Sequence, residues 1–123
     1  MKKRIEDYIE KAIKLIEEDL KNKKIESLPS VFNGYISSFG AALIQSDLKI
    51  AIALFENKKS SKKADSTYLM SLILRLIDEN TKEDMLLKYV INSSQNENIL
   101  KEKIKDAAIA VKLAIRTFDL KDE

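Results

Sequence analysis

"YISSFGAALIQS", residues 35–46, reads as a helix with two unlike sides. Tyr35, Ile36, Phe39 and Leu43 make one bulky apolar face, while Gly34, Ser37, Ser38 and Ala41 fall on the far side at helical spacing. The chain has only two glycines, and both, Gly34 and Gly40, belong to this helix. A glycine inside a helix costs about 1 kcal/mol relative to alanine. Two such positions, beside a face nearly free of side chains, predict the close approach of another backbone. That backbone belongs either to a neighbouring helix of the same fold or to a partner, and the residue types leave both open.

Outward from this stretch the same periodicity dominates. Ile5, Tyr8, Ile9, Ala12, Ile13, Ile16 and Leu20 form one stripe over residues 3–22, at gaps of three and four. "NKKIES" breaks that pattern. Ser27 as a cap and Pro29 in a first turn predict a second helix over 29–45. Ser46 or Asp47 can cap a third, through about residue 57. Tyr68, Leu69, Leu72, Ile73 and Leu76 are the stripe of a fourth. Thr81 to Asp84 resembles a capping box opening a fifth helix through about residue 92. Ser94 with Glu97 repeats the signal and opens a sixth, to about Phe118. The expected fold is all-α: a compact single-domain bundle of about six helices spanning residues 1–123. Its core is expected from Ile9, Ile13, Ile16, Phe39, Leu43, Ile52, Phe55, Leu72, Leu76, Val111 and Phe118.

Composition narrows the chemistry. Of 123 residues, 45% are hydrophobic and 34% charged, which suits a globular chain rather than a disordered one. Cysteine and histidine are absent, so disulfides, thiol nucleophiles and Cys/His zinc sites are excluded, along with the commonest general base. No metal and no cofactor is expected. The basic start, Met1-Lys2-Lys3-Arg4, leads into an amphipathic helix carrying Glu6, Asp7 and Glu10, unlike the apolar core of a signal peptide. The longest apolar run, Ile50 to Phe55, is too short to span a membrane. A cytoplasmic protein is the expectation. "EED" at 17–19 reads as a solvated charged face, and no Gly-rich phosphate loop is present. The chain is read as not an enzyme.

The sixth helix carries the most information. At 100° per residue from Lys101, the side chains of Leu100, Ala107, Val111 and Phe118 gather near about 260°, the core direction. Lys101, Lys105, Lys112 and Arg116 fall between about 0° and 60°, a basic ridge about 22 Å long. Phosphate contact and simple solvation both fit such a ridge. Ile109 and Leu113 lie near about 80° to 120°, away from the core direction. "AAIAVKLAI" is therefore apolar nearly all round, so the helix is either central in its own fold or covered by a partner. "KKSSKK" adds Lys58, Lys59, Lys62 and Lys63, a candidate phosphate-binding loop or a soluble one. A net charge of +2 means that any nucleic-acid surface depends on local clustering.

"YISSFGAALIQSDLKIAIALFE" (35–56) resembles the central signature of the small helical subunit of Cmr-type, type III-B CRISPR effector complexes. In that family a tyrosine starts a helix, a small-residue turn follows, and a Gly-Leu pair precedes an "alaF"-like helix; here the pair is Asp47-Leu48. "DAAIAVKLAIRTF" (106–118) resembles the family's C-terminal helix. The order and lengths of the six helices agree as well. The resemblance implies a non-catalytic subunit of an RNA-guided, RNA-targeting complex of antiviral defense. Several copies would stack against the backbone subunits that hold the guide RNA and help line the guide–target channel. RNA cleavage and cyclic-nucleotide synthesis would belong to other subunits. The helix geometry nominates Lys105, Lys112 and Arg116 for nucleic-acid contact within the complex. It nominates Ser37, Ser38, Ala41, Ile109 and Leu113 for contact with partner subunits or a second copy. The alternative is a helical homo-oligomeric adaptor or regulator unrelated to CRISPR.

Overall fold

The computed structural model describes residues 2–56 and 66–120, so Lys58, Lys59, Lys62 and Lys63 lie outside the described residues. Six α-helices follow one another: α1 (Lys2–Lys21), α2 (Val31–Gln45), α3 (Leu48–Phe55), α4 (Thr67–Ile77), α5 (Leu86–Asn92) and α6 (Glu97–Ile115). The described residues contain no strand, and the all-α bundle of about six helices is the observed fold.

One apolar core holds the helices together. Each contributes the face that its three-and-four spacing selects: Tyr8, Ala12 and Ile16 from α1, Phe32, Ile36, Phe39 and Leu43 from α2, Leu69, Leu72, Ile73 and Leu76 from α4. Removing one such Leu, Ile or Phe side chain from water stabilises the fold by about 1.5–3 kcal/mol. Of the eleven expected core residues, Ile16, Phe39, Leu43, Ile52, Leu72, Leu76 and Val111 are buried, and Ile9, Ile13, Phe55 and Phe118 are half-buried against them. Phe39 meets Phe55 edge to face, with ring centroids 5.5 Å apart. Phe32 stacks on Tyr68 at 5.9 Å and joins α2 to α4.

The last helix is the central one. α6 packs against α1, α2 and α4. Leu100, Ile104, Ala107, Ala108, Ala110, Val111, Ala114 and Ile115 are all buried along it. Its four alanines let three neighbours come close, which explains a segment apolar on most sides. Of the two readings of "AAIAVKLAI", centrality within the fold accounts for most of the helix. Ile109 and Leu113 are the exceptions, each 40% exposed.

Several helix boundaries depart from the sequence pattern, for physical reasons. α2 begins at Val31, after Ser30, rather than at 29; Ser27 does not cap it. α3 starts after an extended Asp47, as expected, and stops at Phe55. Thr81 does accept the N–H of Glu83, at 3.1 Å, but the turn does not propagate, and α5 opens only at Leu86. A buried carboxylate from elsewhere, Glu56, caps it. Asn96 caps α6, accepting the N–H of Asn98 at 2.7 Å, and Ser94 does not. Ser93 is occupied in the same way with the N–H of Gln95, at 3.0 Å, so the chain between α5 and α6 closes as two short side-chain turns. Past Ile115 the backbone tightens, with Thr117 and Phe118 donating to the carbonyls three residues back, so Phe118 packs from beyond the helix.

Among the described residues, no helix packs on the small face of α2. Ser37, Ser38 and Ala41 are exposed. A Cβ built on Gly34 or Gly40 would find no other atom within 4 Å, and neither glycine has a positive φ. The intramolecular helix crossing that the sequence left open is not made among the described residues.

A candidate interface on the open side of α6

The three packed neighbours of α6 leave one arc of it open to solvent. Along that arc lie Lys101, Lys105 and Lys112, half-buried through their stems, and Arg116, exposed at the helix end. Ile109 and Leu113, one turn apart, border the cations on one flank. Cationic and apolar groups thus run side by side on one rigid helix.

The charges are available. Lys105 approaches Glu102 at 3.8 Å, a surface pair worth little. Among the described residues neither Lys112 nor Arg116 has an acidic partner within ion-pair distance, Asp119 included. A negative ligand would therefore displace few existing contacts.

Next to the ridge, the end of α2 and the first turns of α6 enclose a hollow of about 390 Å³. Leu43, Ile44, Asn98, Lys101, Glu102 and Lys105 line it. Leu43 is fully buried beneath it, while Ile44 is 74% exposed.

Two buried polar clusters escaped the sequence reading. Asp19, the last residue of "EED", is 2% exposed rather than solvated. Its carboxylate takes both arms of the Arg75 guanidinium, at 2.8 and 3.3 Å, and the Tyr68 hydroxyl at 2.6 Å. Burial pushes the Asp19 pKa up, but the hydrogen bonds from Arg75 and Tyr68 outweigh it, and the carboxyl ends below its ordinary range. Burial and the Asp19 carboxylate hold the Tyr68 hydroxyl well above the usual phenol range. Asp106, 3% exposed, pairs with Arg4 Nε at 3.2 Å at an angle that makes no hydrogen bond. Both clusters tie α1 to later helices, α4 and α6, and no linear motif marks either one.

Ser37, Ser38 and Ala41 lie on α2, and the other nominated residues belong to α6 or its C-terminal end. No group of three or more acidic side chains among the described residues is placed to hold a metal ion. No helix among them is long and apolar enough to cross a membrane. Comparisons of the chain with protein-family models, with curated proteins and with solved structures found no match.

Proposed function

We propose that this chain is a non-catalytic small subunit of a type III-B, RNA-guided, RNA-targeting effector complex, acting in the cytoplasm. Residues 35–56 and 106–118 supply the resemblance behind this reading, and the comparisons add no support to it. The observation that carries the interaction role is the open arc of α6. Lys112 and Arg116, without an acidic partner among the described residues, share one helix there with Lys105 and with the partly exposed pair Ile109 and Leu113. Lys105, Lys112 and Arg116 contact RNA phosphates inside the complex, while Ile109 and Leu113 dock on a backbone subunit. The uncharged, shallow face of Ser37, Ser38 and Ala41 receives a second partner surface or another copy in the stack.

The test co-expresses the chain with candidate large and backbone subunits and asks whether guide RNA co-purifies. Ile109→Glu combined with Leu113→Glu is expected to keep the isolated fold and abolish incorporation. Gln at positions 105, 112 and 116 is expected to weaken target-RNA binding by the assembled complex. Three lost phosphate contacts on a single strand should flatten the log–log salt dependence by roughly 2. A chain that recovers neither RNA nor other subunits, and instead forms a defined homo-oligomer through the same residues, is an adaptor unrelated to CRISPR.

A further inference from the structure

The hollow beside the ridge has a composition different from the ridge itself. A phosphate-binding row needs only cations, yet this recess also has an exposed aliphatic wall at Ile44, above the fully buried Leu43. Asn98 adds an amide that can both donate and accept, at the rim. Its backbone N–H is engaged by Asn96, while its side chain is exposed. Lys101 and Lys105 belong to the recess and to the ridge at once. A ligand that follows the cations therefore passes the opening, and one with a flat, partly apolar group can turn it inward. Bases of a single strand are free to do so, whereas those of a duplex are held in the stack.

We infer that the hollow lined by Leu43, Ile44 and Asn98 takes one unstacked base of a single RNA strand whose phosphates lie along Lys101, Lys105, Lys112 and Arg116. This rests on the reading of the ridge as an RNA surface and adds to it the strandedness of the ligand. Lys101 and Lys105 share the recess with Ile44 and with the Glu102 carboxylate, so a phosphate there has cations to meet and a base has the Ile44 side chain. An acidic peptide would satisfy the lysines equally well but offers no planar group for the recess.

The test uses the full chain and three probes of equal charge: a labelled single-stranded oligoadenylate of about ten nucleotides, an abasic strand of the same length, and an oligoglutamate. The base-bearing strand is expected to bind roughly fivefold more tightly than the abasic one, the low end for base contacts because the wall is aliphatic. Ile44→Ala with Asn98→Ala, both exposed positions, is expected to bring that preference within about twofold. The same variant should leave abasic binding and its salt slope unchanged. Equal binding of the two strands by the unaltered chain, or a preference that survives the double substitution, overturns the base site while the ridge still binds phosphate. Tighter binding of oligoglutamate than of either strand, or no salt-dependent binding of RNA, overturns the ridge reading as well.

Discussion

The carboxylate of Glu56 accepts the backbone N–H of Leu86 at 2.6 Å and that of Leu87 at 2.9 Å, across thirty residues of sequence. The first turn of a helix has free N–H groups, which are normally met by the residue immediately before it. Here that residue is Met85, whose thioether is only a weak acceptor and makes no cap bond, and the cap comes from the end of α3 instead. Glu56 is 7% exposed, so the contact also removes a charge from water in a place where two donors and the positive end of α5 compensate it.

Glu56→Ala is expected to lower stability by about 1–3 kcal/mol, because it leaves the Leu86 N–H buried without an acceptor. Glu56→Gln keeps one acceptor oxygen and should lose less. Urea denaturation gives the two values, and amide exchange at Leu86 and Leu87 should accelerate in the alanine variant before it does in α6.

Asp19→Ala leaves the Arg75 guanidinium without its bidentate partner. Breaking a fully buried pair costs about 3–5 kcal/mol; the Arg75 side chain is 32% exposed, so the loss should fall below that range. Asp19→Ala with Arg75→Leu should recover part of it. Thermal melts of the single and double variants provide the cycle.

The same cluster fixes a pH window. The Asp19 pKa is lowered in the fold, so its contribution is complete above the ordinary carboxylate pKa, about 4, and is lost as pH falls through the lowered value. Tyr68 is raised, so its contribution is complete below the ordinary phenol pKa, about 10, and declines as pH rises beyond it. Stability measured against pH should therefore drop at both ends. Tyr68→Phe should flatten the alkaline limb and lower the plateau through the loss of a hydrogen bond to Asp19.

Glycine and lysine sit at each other's preferred places. Lys23 ends α1 with φ of 62°, a left-handed conformation that a Cβ disfavours. Gly34 and Gly40 lie in an ordinary helix with open space where a Cβ would stand. Lys23→Gly should raise stability by about 1 kcal/mol, and Gly34→Ala and Gly40→Ala by a similar amount each. Ala41→Leu should leave the melting temperature of the free chain nearly unchanged, since Ala41 is exposed. If the small face docks on a partner, the same leucine blocks assembly, so co-purification separates the two uses.

Phe39→Ala is expected to cost about 3–5 kcal/mol, because Phe39 is fully buried and its ring sits against Phe55. A melting temperature that did not move would mean that α2 presents its other face to the core.

The fold was legible because helical periodicity depends on neighbours three and four residues apart. Ile16, Phe39 and Leu72 could be assigned to the core from spacing alone, and Ile109 and Leu113 could be assigned outside it. What could not be read depended on partners distant in sequence. Asp19 sits in an acidic run and looks solvated until Tyr68 and Arg75, forty-nine and fifty-six residues on, close over it. Thr81 and Ser94 carry capping signals that are locally valid, yet Glu56 and Asn96 supply the caps. The hollow beside the ridge joins Ile44 of α2 to Lys101 of α6, and no spacing rule relates them.

The central position of α6 sets the order of events when the chain is made. α1, α2 and α4 all rest on a helix that leaves the ribosome after them. Until it emerges, Phe39 can meet Phe55 and Phe32 can meet Tyr68, but the cluster stays open on the side that α6 covers. These contacts span most of the sequence, which slows the search for them and prolongs exposure of apolar side chains. The earlier helices therefore keep part of their apolar surface uncovered until α6 joins them, the condition under which aggregation competes with folding.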